Sequence, residues 1–198
     1  MNARSWLPLA SMSTLIVALG AYAAVRQDAF LTKYNLGNLL ITTMPLALVA
    51  LGQTCALLVR GFDVSVAALM TMVVVTASFT MTPTSSTAGL TFGALALVGV
   101  GVATGLFNAT LIRLFRLPSI IATLGTLSVL EGATLLLRSY PTGAINTDVT
   151  STLTAGVSFV PLAFVGVVVL ALAADAWLYR TSGGLAFRAV GLDATSSR

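Results

Sequence analysis

A chain of 198 residues that is 57% hydrophobic and only 8% charged cannot cover a water-facing surface, because an average soluble domain carries roughly 25% charged residues. Ten basic and six acidic residues leave a net charge of +4; the basic ones stand singly among loops without interleaved aromatics, which argues against nucleic acid as a partner. Histidine is absent and Cys55 is the single cysteine, so histidine-dependent catalysis, the usual zinc sites, imidazole relays and an internal disulfide are excluded.

The apolar residues come in runs of about 20, the length that crosses a hydrocarbon core as helix. They do not alternate as in a membrane barrel, and helices satisfy every backbone group in lipid. The expected fold is an all-α integral membrane protein, a polytopic bundle of about six spans. The first run, 6–25, follows Arg4 and has a small-residue Ala-Tyr-Ala stretch near its end, as a signal peptide does. It is rather long for one, and the spans that follow favour a retained first helix. Arg26, Asp28 and Lys33 mark a polar loop before the second run, 36–59, in which Pro45 invites a kink.

The third run, 64–81, ends in the uncharged loop Thr82-Pro83-Thr84-Ser85-Ser86. The fourth, 89–112, is rich in glycine, as close helix packing in lipid requires, and Arg113 and Arg116 close it. Pro118 starts a fifth run to Leu137 that contains Glu131. A polar loop, 138–150, precedes a sixth span of roughly 157–174, followed by the interfacial aromatics Trp177 and Tyr179 and a polar tail, 180–198. With both termini in the cytoplasm, the inside segments hold Arg4, Arg60, Arg113, Arg116, Arg180, Arg188 and Arg198, and the outside ones Arg26, Lys33 and Arg138. Seven against three obeys the positive-inside bias.

Arg60-Gly61-Phe62-Asp63-Val64-Ser65 stands between two spans and carries adjacent opposite charges. Burying such a charge at the centre of a lone membrane helix costs about 2.5–3.5 kcal/mol on insertion scales, so the stretch belongs at the membrane surface or in a protein-covered cavity. Asp63 beside Ser65 has the chemistry of a helix N-cap. Asn108 suits an interhelical hydrogen bond or the lining of a solute path. Thr123 and Thr126 can bond back to their own helix carbonyls. Glu131, an acid inside a span, calls for a partner; Arg138, seven residues on, is a long reach for a direct bridge.

Three segments together carry a resemblance. They are Gly61-Phe62-Asp63-Val64-Ser65, preceded by Gly52-Gln53-Thr54; Leu117-Pro118-Ser119-Ile120-Ile121-Ala122-Thr123-Leu124-Gly125-Thr126, preceded by Gly105-Leu106-Phe107-Asn108; and Thr181, Gly184, Ala189-Val190-Gly191, Asp193 and Ser196-Ser197-Arg198. As a set they resemble the membrane permease subunits of bacterial ABC importers of the ribose and monosaccharide type. Arg60 stands where that family usually has glycine, Val64 where it has leucine, Ile121 where it has phenylalanine, and Asp193 where it has asparagine. The family continues past the third segment into further spans, so residues 1–198 resemble the N-terminal portion of its transmembrane permease domain.

The resemblance implies a membrane-spanning subunit of an ATP-driven importer that passes a monosaccharide across the bacterial inner (plasma) membrane. Implied partners are an ABC ATPase, a periplasmic or extracellular sugar-binding protein, a second permease subunit (the same or different) and membrane lipid. The substrate path is assigned to Gln53, Asp63, Ser65, Asn108, Thr123, Thr126 and Glu131. ATPase coupling falls to a cytoplasmic segment, 180–198, through Thr181, Gly184, Ala189, Gly191, Asp193 and Arg198, with Asp193 as the cap of a short helix. The chain has no Gly-x-x-x-x-Gly-Lys-Ser/Thr loop, so ATP hydrolysis is expected on a partner, and no catalytic residue, metal ligand or cofactor is assigned. Two other readings stay open: a truncated permease that serves only membrane assembly, and an ion-driven secondary transporter resting on Glu131 and Asp63.

Overall fold

Among the described residues of the computed structural model, 6–192, five helices are long and apolar enough to cross a membrane. They are α1 (Leu7–Arg26), α2 (Lys33–Leu58), α4 (Thr87–Arg113), α5 (Ser119–Leu137) and α7 (Leu162–Arg180). A shorter apolar helix, α3 (Val66–Thr80), makes the sixth element of the bundle. The chain is thus an all-α polytopic membrane protein, with one two-residue antiparallel pair, β1 (Gly156–Val157) and β2 (Val160–Pro161), and two short helices, α6 (Thr147–Thr154) and α8 (Ser182–Leu192). Arg4, Asp193, Ser196, Ser197 and Arg198 lie outside the described residues.

Local signals set the ends of these helices. Thr32 Oγ1 accepts from the Asn35 amide at the start of α2, and Ser86 Oγ accepts from the Gly89 amide at the start of α4. α2 runs unbroken through Pro45 and ends in a Schellman turn. There Gly61 N donates to Ala56 O (2.8 Å) and Arg60 N to Leu57 O (3.0 Å). The turn needs a left-handed residue, and Arg60 takes that conformation with φ 58°, the position at which glycine is the usual occupant.

α3, α4 and α5 pack on one another, and α7 packs on α2 and α8. Most large apolar side chains face outward, as a surface in lipid requires, while the buried apolar residues are few: Ala68, Val75, Ala77, Met81, Ala122 and Leu178. Close helix approach explains Gly93, where a Cβ would lie 2.6 Å from Met81 Cγ, but nothing stands within 4 Å of Gly99, Gly101 or Gly105.

The two ends of the bundle are chemically distinct. Phe62 at the start of α3 bonds to Ser119 at the start of α5, and α8 lies against Leu58 at the end of α2. That end carries Arg60, Arg113, Arg116, Arg180 and Arg188. At the other end Arg138 bonds to Ser78, Asn146 N donates to Met81 O (2.8 Å), and Arg26 and Lys33 join α1 to α2.

Two elements differ from the sequence expectation. The sixth span begins at Leu162 rather than 157 and continues through Asp175 to Arg180, because the antiparallel pair occupies 156–161. Pro118 is the N-cap of α5 rather than its first helical residue. A further helix, α8, starts at Ser182 with Thr181 as its cap, whereas the short helix expected to follow Asp193 lies outside the described residues.

Candidate functional site

α3 has 15 residues, a rise of about 22 Å, which is short of a hydrocarbon core of about 30 Å. The non-helical stretch Gly61–Ser65 precedes it. Backbone outside a helix is tolerated at membrane depth only where protein or enclosed water satisfies it. Here α5 supplies the partners. Phe62 N donates to Ser119 Oγ (3.2 Å) and Val64 N to Thr123 Oγ1 (3.1 Å). The Thr123 hydroxyl donates to Ser119 O in its own helix (2.9 Å), with Phe62 O 3.3 Å away.

Beneath that patch runs a directional chain of side-chain bonds. Thr126 Oγ1 donates to Asn108 Oδ1 (2.5 Å), Asn108 Nδ2 donates to Ser65 Oγ (3.0 Å), and Ser65 Oγ donates to Asp63 Oδ1 (2.6 Å). The same carboxylate oxygen accepts the Ser65 amide at 2.8 Å. Every donor points toward Asp63, so the chain ends on a group that only accepts when ionised. Ser65, Asn108, Thr123 and Thr126 are 1–6% exposed, and each has a partner, as burial demands.

The arrangement refines the residue-level expectations. Asp63 forms an Asx turn onto Ser65 rather than capping α3 amides, and Ser65 is the N-cap without a side-chain cap bond. Asn108 bonds across to both α3 and α5 instead of standing alone. Thr123 and Thr126 do bond back to their own helix, and they also reach neighbouring segments. Five sequence-selected residues, Asp63, Ser65, Asn108, Thr123 and Thr126, therefore meet in one knot. Beside it lies a cavity of about 230 Å³ bordered by Ala56, Val59, Phe62, Asp63, Asn108 and Ser119.

Gln53 and Glu131 are not part of that knot. Gln53 is half-buried on α2, and its Nε2 is buried with no hydrogen-bond partner among the described residues. Glu131 is exposed on α5, on the side away from Ala122 and Thr126, and among the described residues nothing pairs with it. Arg138 does not reach back to Glu131; its Nε donates to Ser78 Oγ at 2.9 Å.

A second constellation sits at the end of α7. Thr181 Oγ1 donates to Trp177 O (2.7 Å) and accepts the Gly184 amide (3.1 Å), so one hydroxyl closes α7 and caps α8. A Cβ on Gly184 would collide with Trp177 O and Leu178, and one on Gly191 with Leu58 O. The two glycines thus let α8 lie against the backbone of both α7 and α2. Ala189 faces outward, and the Arg188 guanidinium lies 4.5 Å over the Tyr179 ring. Of the coupling residues, Asp193 and Arg198 lie outside the described residues.

Sequence reasoning gave no role to Ser119, Asn146 or Asp175, and weighed Arg138 only as an outside charge and a distant partner for Glu131. Ser119 stands inside a quoted signature, which was the signal for it; Asn146 precedes Asp148, whose amide its Oδ1 accepts at 2.8 Å, a local turn pattern. Nothing local marks the partner of Arg138, which lies 60 residues away.

A family model described as branched-chain amino acid transport system / permease component matches residues 35–198. The autoinducer 2 import system permease protein LsrC of Yersinia enterocolitica (serotype O:8 / biotype 1B) is 33% identical over 122 residues, covering 62% of this chain and 33% of that protein. The protein of that name from Enterobacter sp. (strain 638) is 33% identical over 126 residues, 61% of this chain and 34% of its own length. That from Yersinia pestis (strain Pestoides F) is 31% identical over 136 residues, 69% of this chain and 37% of its own. The aligned part of this chain spans about a third of the length of these curated relatives. No solved structure matches it.

Proposed function

The chain belongs to the branched-chain amino acid transport system / permease component family, and from that premise we propose that it serves as a membrane-spanning part of an ATP-driven ABC importer for a monosaccharide or a similar small hydroxylated solute. The observation that carries the reading is the coupling of two features: a broken element held by buried polar groups, and α8 seated on the backbone of α2 just before that break. A displacement of α8 reaches Leu58 directly and the Arg60–Gly61 turn within three residues. That turn leads into Asp63 and Ser65, whose bonds hold α3 against α4 and α5. Small hydrogen-bonding groups with few fixed charges suit a polyol. The import role in the relatives' names supports the direction of transport.

In this proposal the arginine-rich end lies in the bacterial cytoplasm, in keeping with the positive-inside bias. A separate ATPase docks against α8 and the segment beyond it, a second permease subunit completes the path, and an external binding protein delivers the solute. The two states of the path are biased by nucleotide at a distance. Gln53 and Glu131 face that path: a carboxyl in mid-span without a partner is costly against lipid, and water or solute relieves the cost.

The test is uptake of labelled ribose into vesicles that hold the chain with its ATPase and binding protein. Uptake is expected to require ATP and to survive collapse of the proton gradient. Flux that ignores ATP and dies with the gradient supports the ion-driven reading instead; copurification with the ATPase but no flux supports the assembly reading. Glu131→Gln is expected to keep more than about half of the uptake and Glu131→Leu to lose at least about tenfold, a loss on the order of 1.4 kcal/mol, at equal expression. Normal uptake by Glu131→Leu removes Glu131 from the path.

A further inference from the structure

At the end of the bundle away from α8, the chain between α5 and α6 folds over the last turns of α3 and α5. It borders an open cavity of about 690 Å³, within the range of small-molecule sites. Hydroxyl-bearing Thr71, Ser78, Thr134, Tyr140 and Thr150 line it together with Arg138. The guanidinium is fixed on several sides. Its Nε donates to Ser78 Oγ (2.9 Å), Nη1 to Thr142 Oγ1 (2.8 Å) and Nη2 to Ser78 O (3.4 Å), and it lies 4.3 Å over the Phe79 ring. Gly143, at φ 90°, lets the loop pass against it; a Cβ there would stand 2.7 Å from Nη2.

A guanidinium has five N–H donors, and three are used here. Among the described residues its partners are hydroxyls and a carbonyl, and none is a carboxylate. A cation held rigid, with two donors left and no counter-charge, beside several hydroxyls in an otherwise largely apolar cavity is suited to an incoming oxyanion. A purely structural clamp needs the three bonds but not the unneutralised charge. The geometry points to an entry subsite for a small polyhydroxylated solute that bears a carboxylate or another oxyanion, with Arg138 holding the anion and the surrounding hydroxyls the polyol. Its place on a transport route rests on the permease proposal; its binding does not need the ATPase.

The experiment is calorimetric titration of the full chain in lipid nanodiscs with D-ribonate and with ribitol, open-chain molecules that differ only in the carboxylate at one end. Ribonate is expected to bind at least about tenfold more tightly than ribitol, and Arg138→Gln to abolish the preference while Arg138→Lys keeps part of it. Because Arg138→Gln also unties Ser78, Thr71→Val and Thr150→Val serve as variants that leave the clamp intact. Each is expected to weaken ribonate at least threefold with unchanged helix content. No ribonate binding, equal binding of the two probes, or ribonate affinity untouched by the Thr variants overturns the subsite. Ribonate binding that depends on Arg138 in a chain that gives no ATP-driven flux leaves the subsite standing and sinks the permease proposal instead.

Discussion

Asn108→Leu is expected to cost the α3–α4–α5 bundle about 2–4 kcal/mol of stability, from two lost bonds, each about 0.6–1.7 kcal/mol in membrane proteins, plus the misfit of an apolar group. Asn108 gives its amide hydrogen to Ser65 and takes the Thr126 hydroxyl, so one side chain joins three helices. The neighbours differ in what they retain. Ser65 still donates to Asp63 and Thr126 still reaches Ala122 O (3.1 Å), so neither is wholly orphaned. Thr126→Val alone is therefore expected to cost only about 0.5–1.5 kcal/mol. Unfolding titrations of both single variants and the double variant should give a coupling energy on the order of 1 kcal/mol. If Asn108→Leu lies within about 0.5 kcal/mol of the parent chain, the knot does not hold the break in place.

Gly191→Val carries the largest expected effect on transport. The obstacle it meets is the Leu58 carbonyl, a backbone group that cannot swing aside as the tip of a flexible side chain would. α8 must then lift from α2 while its start stays tied to α7 through Thr181. Solute moved per ATP hydrolysed is expected to fall at least about tenfold, about 1.4 kcal/mol, with insertion and helix content unchanged. Gly184→Val, which meets Trp177 O and Leu178, is expected to act in the same direction. Ser182→Ala, one residue past the hydroxyl that closes the corner, is expected to leave coupling near that of the parent. Unaltered coupling in Gly191→Val would separate α8 from the transport cycle.

Much of this was legible in the residues because membrane spans announce themselves by length and composition. The runs at 36–59, 89–112 and 118–137 became α2, α4 and α5 with ends shifted by only a few residues. Asn108, Ser65 and Thr126 were visible as polar residues in apolar surroundings, and each finds its partner across helices. What bonded to what was not legible. Asp63 and Ser65 satisfy capping chemistry and an Asx turn equally well on paper, and only the non-helical backbone at 61–64 decides between them. α6 begins inside the stretch 138–150 that was expected to be a polar loop, and the β1–β2 pair takes residues expected to open the sixth span, because their hydropathy marks no turn. The sixth span was expected to end at 174, just before Asp175, although the helix continues to Arg180. Glu131 is the reverse case: the sequence marks it plainly, and the helices that pack here do not cover it.

The coupling of transport to ATP turns on which side of the membrane α8 occupies. In a Cys55→Ala background, single cysteines at Ser182, beside α8, and Thr84, in the loop between α3 and α4, can be treated in intact cells with a maleimide that does not cross the membrane. The cysteine at 84 is expected to react in intact cells, and the one at 182 only after permeabilisation. Labelling of 182 in intact cells, with 84 protected until permeabilisation, would put α8 out of reach of any ATP-hydrolysing partner and contradict the coupling described here.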